Sequence, residues 1–238
     1  MGVADPHCHT TASDGMVEPA DLVRDAVAAG LDLIAVCDHD TMTAVGEVAA
    51  RGEAAGLAVV GGQEITTRWP GQTHVLGWFL ERPVRSRMSI EDTVDAIHDQ
   101  GALAVIPHPF MLTYFASAQP GMLLRLLERR SVDGIEVVHP SPMGPGRRAA
   151  LEAFYEAHRE RLGARLGSSD SHFGRHDLCQ VVTEFDGSTA ADFRQAVLAR
   201  RTRPRVRRRS TVPTPLALRQ QWRSLVLLPL RRAGRHLD

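Results

Sequence analysis

The chain contains no lysine; all 28 of its basic residues are arginine. This absence is read as the coding bias of a high-GC genome and not as chemistry. Cysteine is scarce. Cys8, Cys37 and Cys179 are odd in number and far apart, which excludes a disulfide scaffold and predicts a reduced, cytoplasmic protein. Long apolar runs are missing too: none approaches the roughly 20 residues a bilayer span needs. Before Asp5 there is no basic stretch or apolar core of the secretory type, so no leader is expected. Net charge is also absent, with 28 basic against 28 acidic residues.

That zero conceals an asymmetry. Residues 200–238 hold twelve arginines and one acid, and the preceding 199 residues hold sixteen arginines and 27 acids. An acidic body therefore carries a basic tail. Charge alone leaves two readings level, a tail that meets nucleic acid or a membrane and a tail that packs on its own body. With 238 residues, 43% apolar and 24% charged, the composition is that of a globular domain with a short appendage. About 70% of the unfolded surface should be buried at this size.

Apolar runs and helical patterns alternate along the body. Leu33–Cys37 ends at Asp38-His39-Asp40, Leu57–Val60 leads to Gly61-Gly62-Gln63-Glu64, and Ala102–Ile106 ends at Pro107-His108-Pro109. Gly134–Val138 ends at His139-Pro140, and Ala164–Gly167 at Ser168-Ser169-Asp170. Helices are predicted over 19–29, 43–55, 90–100, 122–129, 147–161 and 190–199, with starts marked at Glu18-Pro19 and Ser89. Repeated strand–helix units predict a mostly parallel sheet or barrel. Pro70-Gly71 predicts a hairpin turn and one antiparallel pair.

Almost every apolar run stops at His, Asp or Glu. In a parallel α/β barrel these strand ends converge on one face. His7 and His9 share a strand face, since side chains alternate with period two, and Cys8 faces the other way. The turn after them can return Asp14 to the same place. His39, Glu64, His74 and His108 follow, then Asp170 and His172, again two apart. Each alone has a bland explanation as a cap, a solvated carboxylate or a loop histidine. Together His7, His9, Asp14, His39, Glu64, His74, His108, Asp170 and His172 are nine potential ligands, too many for one tetrahedral ion. Mixed imidazole and carboxylate donors predict two or three divalent ions, Zn, Mn or Fe, with Glu64 free to bridge.

Asp5-Pro6-His7-Cys8-His9-Thr10, Ser13-Asp14-Gly15, Cys37-Asp38-His39-Asp40, Gly62-Gln63-Glu64, His74-Val75-Leu76-Gly77, Pro107-His108-Pro109 and Ser169-Asp170-Ser171-His172 resemble the PHP (polymerase and histidinol phosphatase) domain, in order, over about residues 3 to 203. The stand-alone metal-dependent phosphoesterase branch is the most similar. The resemblance implies an α/β fold, a distorted seven-stranded (β/α) barrel over 1–203, with a basic, partly helical tail over 204–238. It implies one ion on His7, His9, Glu64 and Asp170, a second on Glu64, His74 and His108, and a third on Asp14, His39 and His172. Pro6 departs from the apolar strand residue usual there, which predicts a disturbed pleat. His139 also departs from the pattern, as a pocket-lining residue or an added ligand.

The expected chemistry is attack of a metal-activated hydroxide on phosphorus, with Asp170 and Glu64 at its centre. Arg68 and Arg175 are candidates for the phosphoryl oxygens and His176 or His139 for the leaving oxygen. His98 and His158 fall in helical patterns and are assigned to packing. The expected substrate is a small phosphorylated metabolite, nucleotide or oligonucleotide. Two alternatives stand beside it: hydrolysis of carboxyl esters or amides on the same barrel, and a non-catalytic metal-stabilised binding protein. In the tail, Leu216, Leu218, Trp222, Leu225, Val226 and Leu227 form an amphipathic pattern. Packing on the barrel or on a second copy is favoured over a membrane surface or nucleic acid.

Overall fold

The computed structural model describes residues 1–68, 72–112, 116–141 and 143–227. The predicted turn at Pro70-Gly71 and His236 lie outside the described residues. The chain runs β1 (Gly2–Cys8), α1 (Pro19–Ala28), β2 (Leu33–Val36), α2 (Val45–Ala55), β3 (Ala58–Thr66), β4 (His74–Trp78), α3 (Ile90–His98) and β5 (Leu103–Ile106). It continues α4 (Pro120–Arg129), β6 (Gly134–Val138), α5 (Pro145–Leu162), β7 (Ala164–Gly167), β8 (Val181–Phe185), α6 (Ala190–Leu198), β9 (Thr202–Val206) and α7 (Thr214–Trp222).

Alternation along β2 divides its side chains between two of the three apolar clusters among the described residues. Leu33, Ala35 and Cys37 face inward with Leu76, Trp78, Leu103, Val105 and Leu166. Ile34 and Val36 face outward, against Leu22, Val23 and Ala26 of α1 and Val48 of α2. This period of two over an apolar run is what a strand covered on both faces requires. Helix starts follow local chemistry. Pro19 opens α1 behind Glu18, and the Ser89 Oγ accepts from the Asp92 N–H at 3.0 Å at the head of α3. Thr189 and Asp192 form a reciprocal capping box on α6.

The strands lie in the order β7-β6-β5-β4-β3-β2-β1-β8-β9. The sheet curls almost closed, since the Thr202 hydroxyl of β9 donates to the Arg165 carbonyl of β7 at 2.7 Å. The barrel class is therefore the expected one. Among the described residues the strand count is nine and not seven, because β8 and β9 extend the sheet antiparallel beyond β1. Nor is the sheet mostly parallel: β1–β2–β3 and β5–β6–β7 are parallel, while β3–β4–β5 and β1–β8–β9 are antiparallel. Strand β9 also runs across the sequence boundary between 203 and 204.

Pro6 sits where the β1–β2 register shifts, between Asp5 and Cys8. Proline has no N–H for the ladder, so the strand bulges. Cys8 stays in the outer core while His7 is wholly buried on the other side. No helix among the described residues is long and apolar enough to cross a membrane.

Candidate metal centre

Backbone pairing carries on past the strands and gathers their ends. His9 lies just beyond β1, where its N–H donates to the Ser171 carbonyl at 2.8 Å; the Ser171 N–H donates back to His7 at 3.0 Å. This places the Asp170–His172 segment beside His7 and His9. Similarly, the Asp40 N–H donates to Glu64 at 2.9 Å, which sets His39 beside the end of β3. Asp170 and His108 hold positive φ, 50° and 30°. Such backbone is costly without glycine, and it persists where surroundings hold it for a purpose.

All nine predicted ligands are brought together. The His7 Nε2 lies 3.1 Å from the His9 Nε2, 3.2 Å from the Glu64 Oε2 and 3.4 Å from the Asp170 Oδ1. The His9 Nε2 lies 3.2 Å from both carboxylate oxygens. A regular tetrahedron with edges of that length has its centre about 2.0 Å from each corner, the length of a zinc–nitrogen or zinc–oxygen bond. Two more groupings share members with this one: His39, Glu64 and His74, and His9, Asp14, His39 and His172. In the second, the Asp14 Oδ1 lies 3.3 Å from the His172 Nε2, 3.7 Å from the His39 Nε2 and 3.8 Å from the His9 Nδ1.

Glu64 uses both oxygens. His74 and His108 approach Oε1 at 2.7 and 2.9 Å, and His7, His9 and His39 approach Oε2 at 3.2 to 3.3 Å. The geometry thus groups His39 with Glu64 and His74, whereas His108 stands just outside that trio and hydrogen-bonds Glu64. The donor set fits cations. Asp170 Oδ1, His9 Nδ1 and His74 Nδ1 are buried without a well-directed hydrogen bond, and bare nitrogens and carboxylate oxygens face one another.

Burial alone would raise the Glu64 carboxyl, but His39, His74 and His7 hold it well below the usual range. Asp170 is likewise lowered against burial by His7, His9 and His172, and Asp14 by His172, His39 and His9. Burial opposes charge on His7 and His172, yet the surrounding carboxylates raise both well above their ordinary value. Burial dominates at His39 and lowers it to about 4.

A ring of buried carboxylates behind the cluster escapes notice in the sequence. The His7 Nδ1–H donates to Glu136 at 3.0 Å, and Glu136 also accepts from the His108 N–H at 2.7 Å and from the Ser168 hydroxyl. Asp38 accepts from the Thr10 N–H and hydroxyl and from Ser13. Asp177 accepts from Ser171 and from the His172 N–H. Asp5 accepts from the Ser169 and Cys179 N–H groups, and burial raises it to about 7. One signal was available: Glu136 is the only charged residue of its apolar run.

Other candidates stand apart. Arg68 is exposed, and its N–H donates to the Met88 carbonyl. Arg175 and His176 line a cleft with Asp21, Asp25 and Phe173. Among the described contacts, none of the three side chains bonds a cluster residue. His139 is buried, its Nε2 is 3.2 Å from the Pro109 carbonyl, and burial lowers it to about 4. His98 pairs with Asp133 at 2.9 Å, and the His158 ring lies tilted against Phe154, centroids 4.6 Å apart.

The family model for the PHP domain matches residues 5–199. A 5′-3′ exoribonuclease of Haemophilus influenzae is 32% identical over 102 residues, 42% of this chain and 37% of that relative. The chain thus spans well under half of that protein's length. A 3′,5′-nucleoside bisphosphate phosphatase of Chromobacterium violaceum is 24% identical over 210 residues, 77% of this chain and 71% of its own. Among solved structures, a two-domain protein of Bacteroides vulgatus containing a predicted PHP-like metal-dependent phosphoesterase superposes with a TM-score of 0.71 at 21% identity. The match covers 93% of this chain and 69% of that one, and it speaks for the fold.

Proposed function

Because the chain belongs to the PHP domain family, we propose that it is a metal-dependent hydrolase of phosphoester bonds in a small phosphorylated metabolite, nucleotide or oligonucleotide. The observation that carries this reading is the set of four donor atoms on His7, His9, Glu64 and Asp170, in which the two imidazole nitrogens lie 3.1 to 3.4 Å from each other and from both carboxylate oxygens. The overlapping groupings support two or three ions in all, Zn, Mn or Fe, with Glu64 shared between positions. The names of the exoribonuclease and the bisphosphate phosphatase support a phosphorylated substrate.

Bound there, such ions would acidify a water and offset charge on the phosphoryl oxygens. The chain's own residues prepare the place. Glu136 holds the His7 Nδ1–H, so the His7 Nε2 lone pair faces the cluster. The His172 Nδ1–H donates to the Asp170 carbonyl at 2.9 Å, which turns its Nε2 to Asp14. Glu64 and Asp170 stay ionised and supply negative charge where cations gather. His39, His74, His172 and Asp170 keep 14 to 21% of their side chains exposed, so a phosphoester can reach this rim. Arg175 and His176, three and four residues after His172, and Arg68, four after Glu64, remain our candidates for the phosphoryl and leaving oxygens.

Elemental analysis of purified protein, paired with hydrolysis of a phosphodiester dye and of a carboxyl-ester dye, tests the proposal. Two or three transition ions per chain and metal-dependent release from the phosphodiester alone are expected. Less than one ion per chain after reconstitution would overturn it. Preference for the carboxyl ester would transfer the reading to acyl substrates.

A further inference from the structure

Helix α7 and the single π-helical turn after it, Arg223–Leu227, return from the sheet to the barrel. An amphipathic helix docked by hydrophobic burial would turn its apolar stripe inward. This one does the reverse. Leu218, Trp222 and Leu225 are 66, 58 and 71% exposed, while Gln220 is 5% exposed and is the one buried residue of α7. Among the described apolar residues of α7 and the turn after it, Leu216, Ala217 and Val226 are partly covered. The helix is therefore seated chiefly by polar contacts.

Those contacts go to one loop. The Gln220 Nε2 donates to the Asp14 Oδ2 at 3.0 Å, across 206 residues of chain. Asp14 is held ionised by its histidine neighbours and can only accept, which turns the Gln220 Nε2 toward it and leaves the Gln220 Oε1 to accept from the Gln221 Nε2 at 3.0 Å. The Arg223 Nε donates to the Ser13 carbonyl at 3.0 Å and its Nη2 to the Thr11 carbonyl. Both carbonyls lie on the turn that delivers Asp14. Asp14 is 2% exposed, and its two oxygens are divided: Oδ2 is held by the tail, and Oδ1 faces His172, His39 and His9.

We propose that the C-terminal helix is part of the active site. Gln220 and Arg223 are positioning residues that set the rotation of Asp14 and the seat of its loop, and through them the ion position shared by His9, Asp14, His39 and His172. The inference rests on the metal-dependent reading above. It follows from the division of oxygens: with Oδ2 engaged, Asp14 offers one oxygen in one direction. Without that bond the carboxylate is free to rotate, and an outer partner of a ligand typically governs its ion's affinity by 10- to 100-fold. The two Glu64 positions receive no bond from the tail in the described contacts and should be indifferent to it.

The test is titration of Mn²⁺ and Zn²⁺ into metal-stripped full-length protein, unsubstituted and carrying Gln220→Met or Arg223→Met. Methionine keeps length and helix propensity while removing the donors. Leu218→Ala, on the exposed side of the same helix, is the control. About 10-fold or greater weakening of one ion per chain in Gln220→Met, with the others unchanged and Leu218→Ala normal, is expected. Uniform loading of all variants would overturn the proposal and leave the metalloenzyme reading standing. The same weakening in Leu218→Ala would also overturn it, by showing that any loosening of the helix suffices. An unsubstituted chain that takes up no ion overturns both readings together.

Discussion

His7 gives its Nδ1–H to Glu136 at 3.0 Å and turns its Nε2 toward His9, Glu64 and Asp170. One hydrogen bond thus decides the tautomer at the centre of the cluster. Glu136→Gln keeps the shape but puts an N–H₂ where a carboxylate took three donors. One of His7, the His108 N–H and the Ser168 hydroxyl then loses its acceptor, a cost of about 1–3 kcal/mol. Metal affinity should fall about 10- to 100-fold. Competition with a chromogenic chelator measures it, and unchanged affinity would show that Glu136 does not orient His7.

Glu64 and Asp170 should separate in the number of ions they control. Five histidine nitrogens approach the two oxygens of Glu64. Among the described residues, Asp170 belongs to one of the three ligand groupings and Glu64 to two. Glu64→Gln is therefore expected to cost at least two ions per chain and Asp170→Asn one, with phosphoester hydrolysis lost in both. Elemental analysis after dialysis reports the counts. Equal losses in the two variants would contradict a shared Glu64.

Much of this was legible in the chain because the informative residues end apolar runs. The strand–helix alternation and the convergence of His39, Glu64 and His108 follow from pattern alone. The even mix of parallel and antiparallel pairs did not, because β8 and β9 carry no signal of direction; Thr202–Val206 is four-fifths polar or proline. Glu136 hid inside an apolar run whose end, at His139, drew the attention. The tail helix rests on its own barrel, but amphipathicity did not show by what means: a buried amide and a guanidinium on loop carbonyls seat it, while Leu218, Trp222 and Leu225 stay exposed. No periodicity in a sequence announces a contact across 206 residues.

The inner core gives a stability prediction independent of metal. Phe193 of α6 is fully buried, with ring centroids 5.4 Å from Trp78 and 5.2 Å from Phe185. Phe193→Ala leaves a cavity as well as losing transfer free energy, so a loss of about 3–5 kcal/mol is expected. Urea unfolding of the metal-stripped protein checks it. A loss below about 1 kcal/mol would mean that α6 is not integral to the barrel core.

Protons and metal should compete for the same nitrogens, and the sign follows from the shifted groups. His7 and His172 are raised well above 6.5 in the folded chain. In the metal-stripped protein their contribution to stability is full below that value and fades as pH climbs through the raised ones. Metal must displace those protons, so its binding strengthens over the same climb. His39, already neutral near pH 7 because burial holds it at about 4, has no proton to surrender there. The stability gained on loading metal should therefore be larger at about pH 8 than at about pH 6. Thermal unfolding with and without a chelator at both pH values measures the gain. A gain that is equal at the two, or larger at the lower, would mean that His7 and His172 do not hold protons in the metal-free cluster.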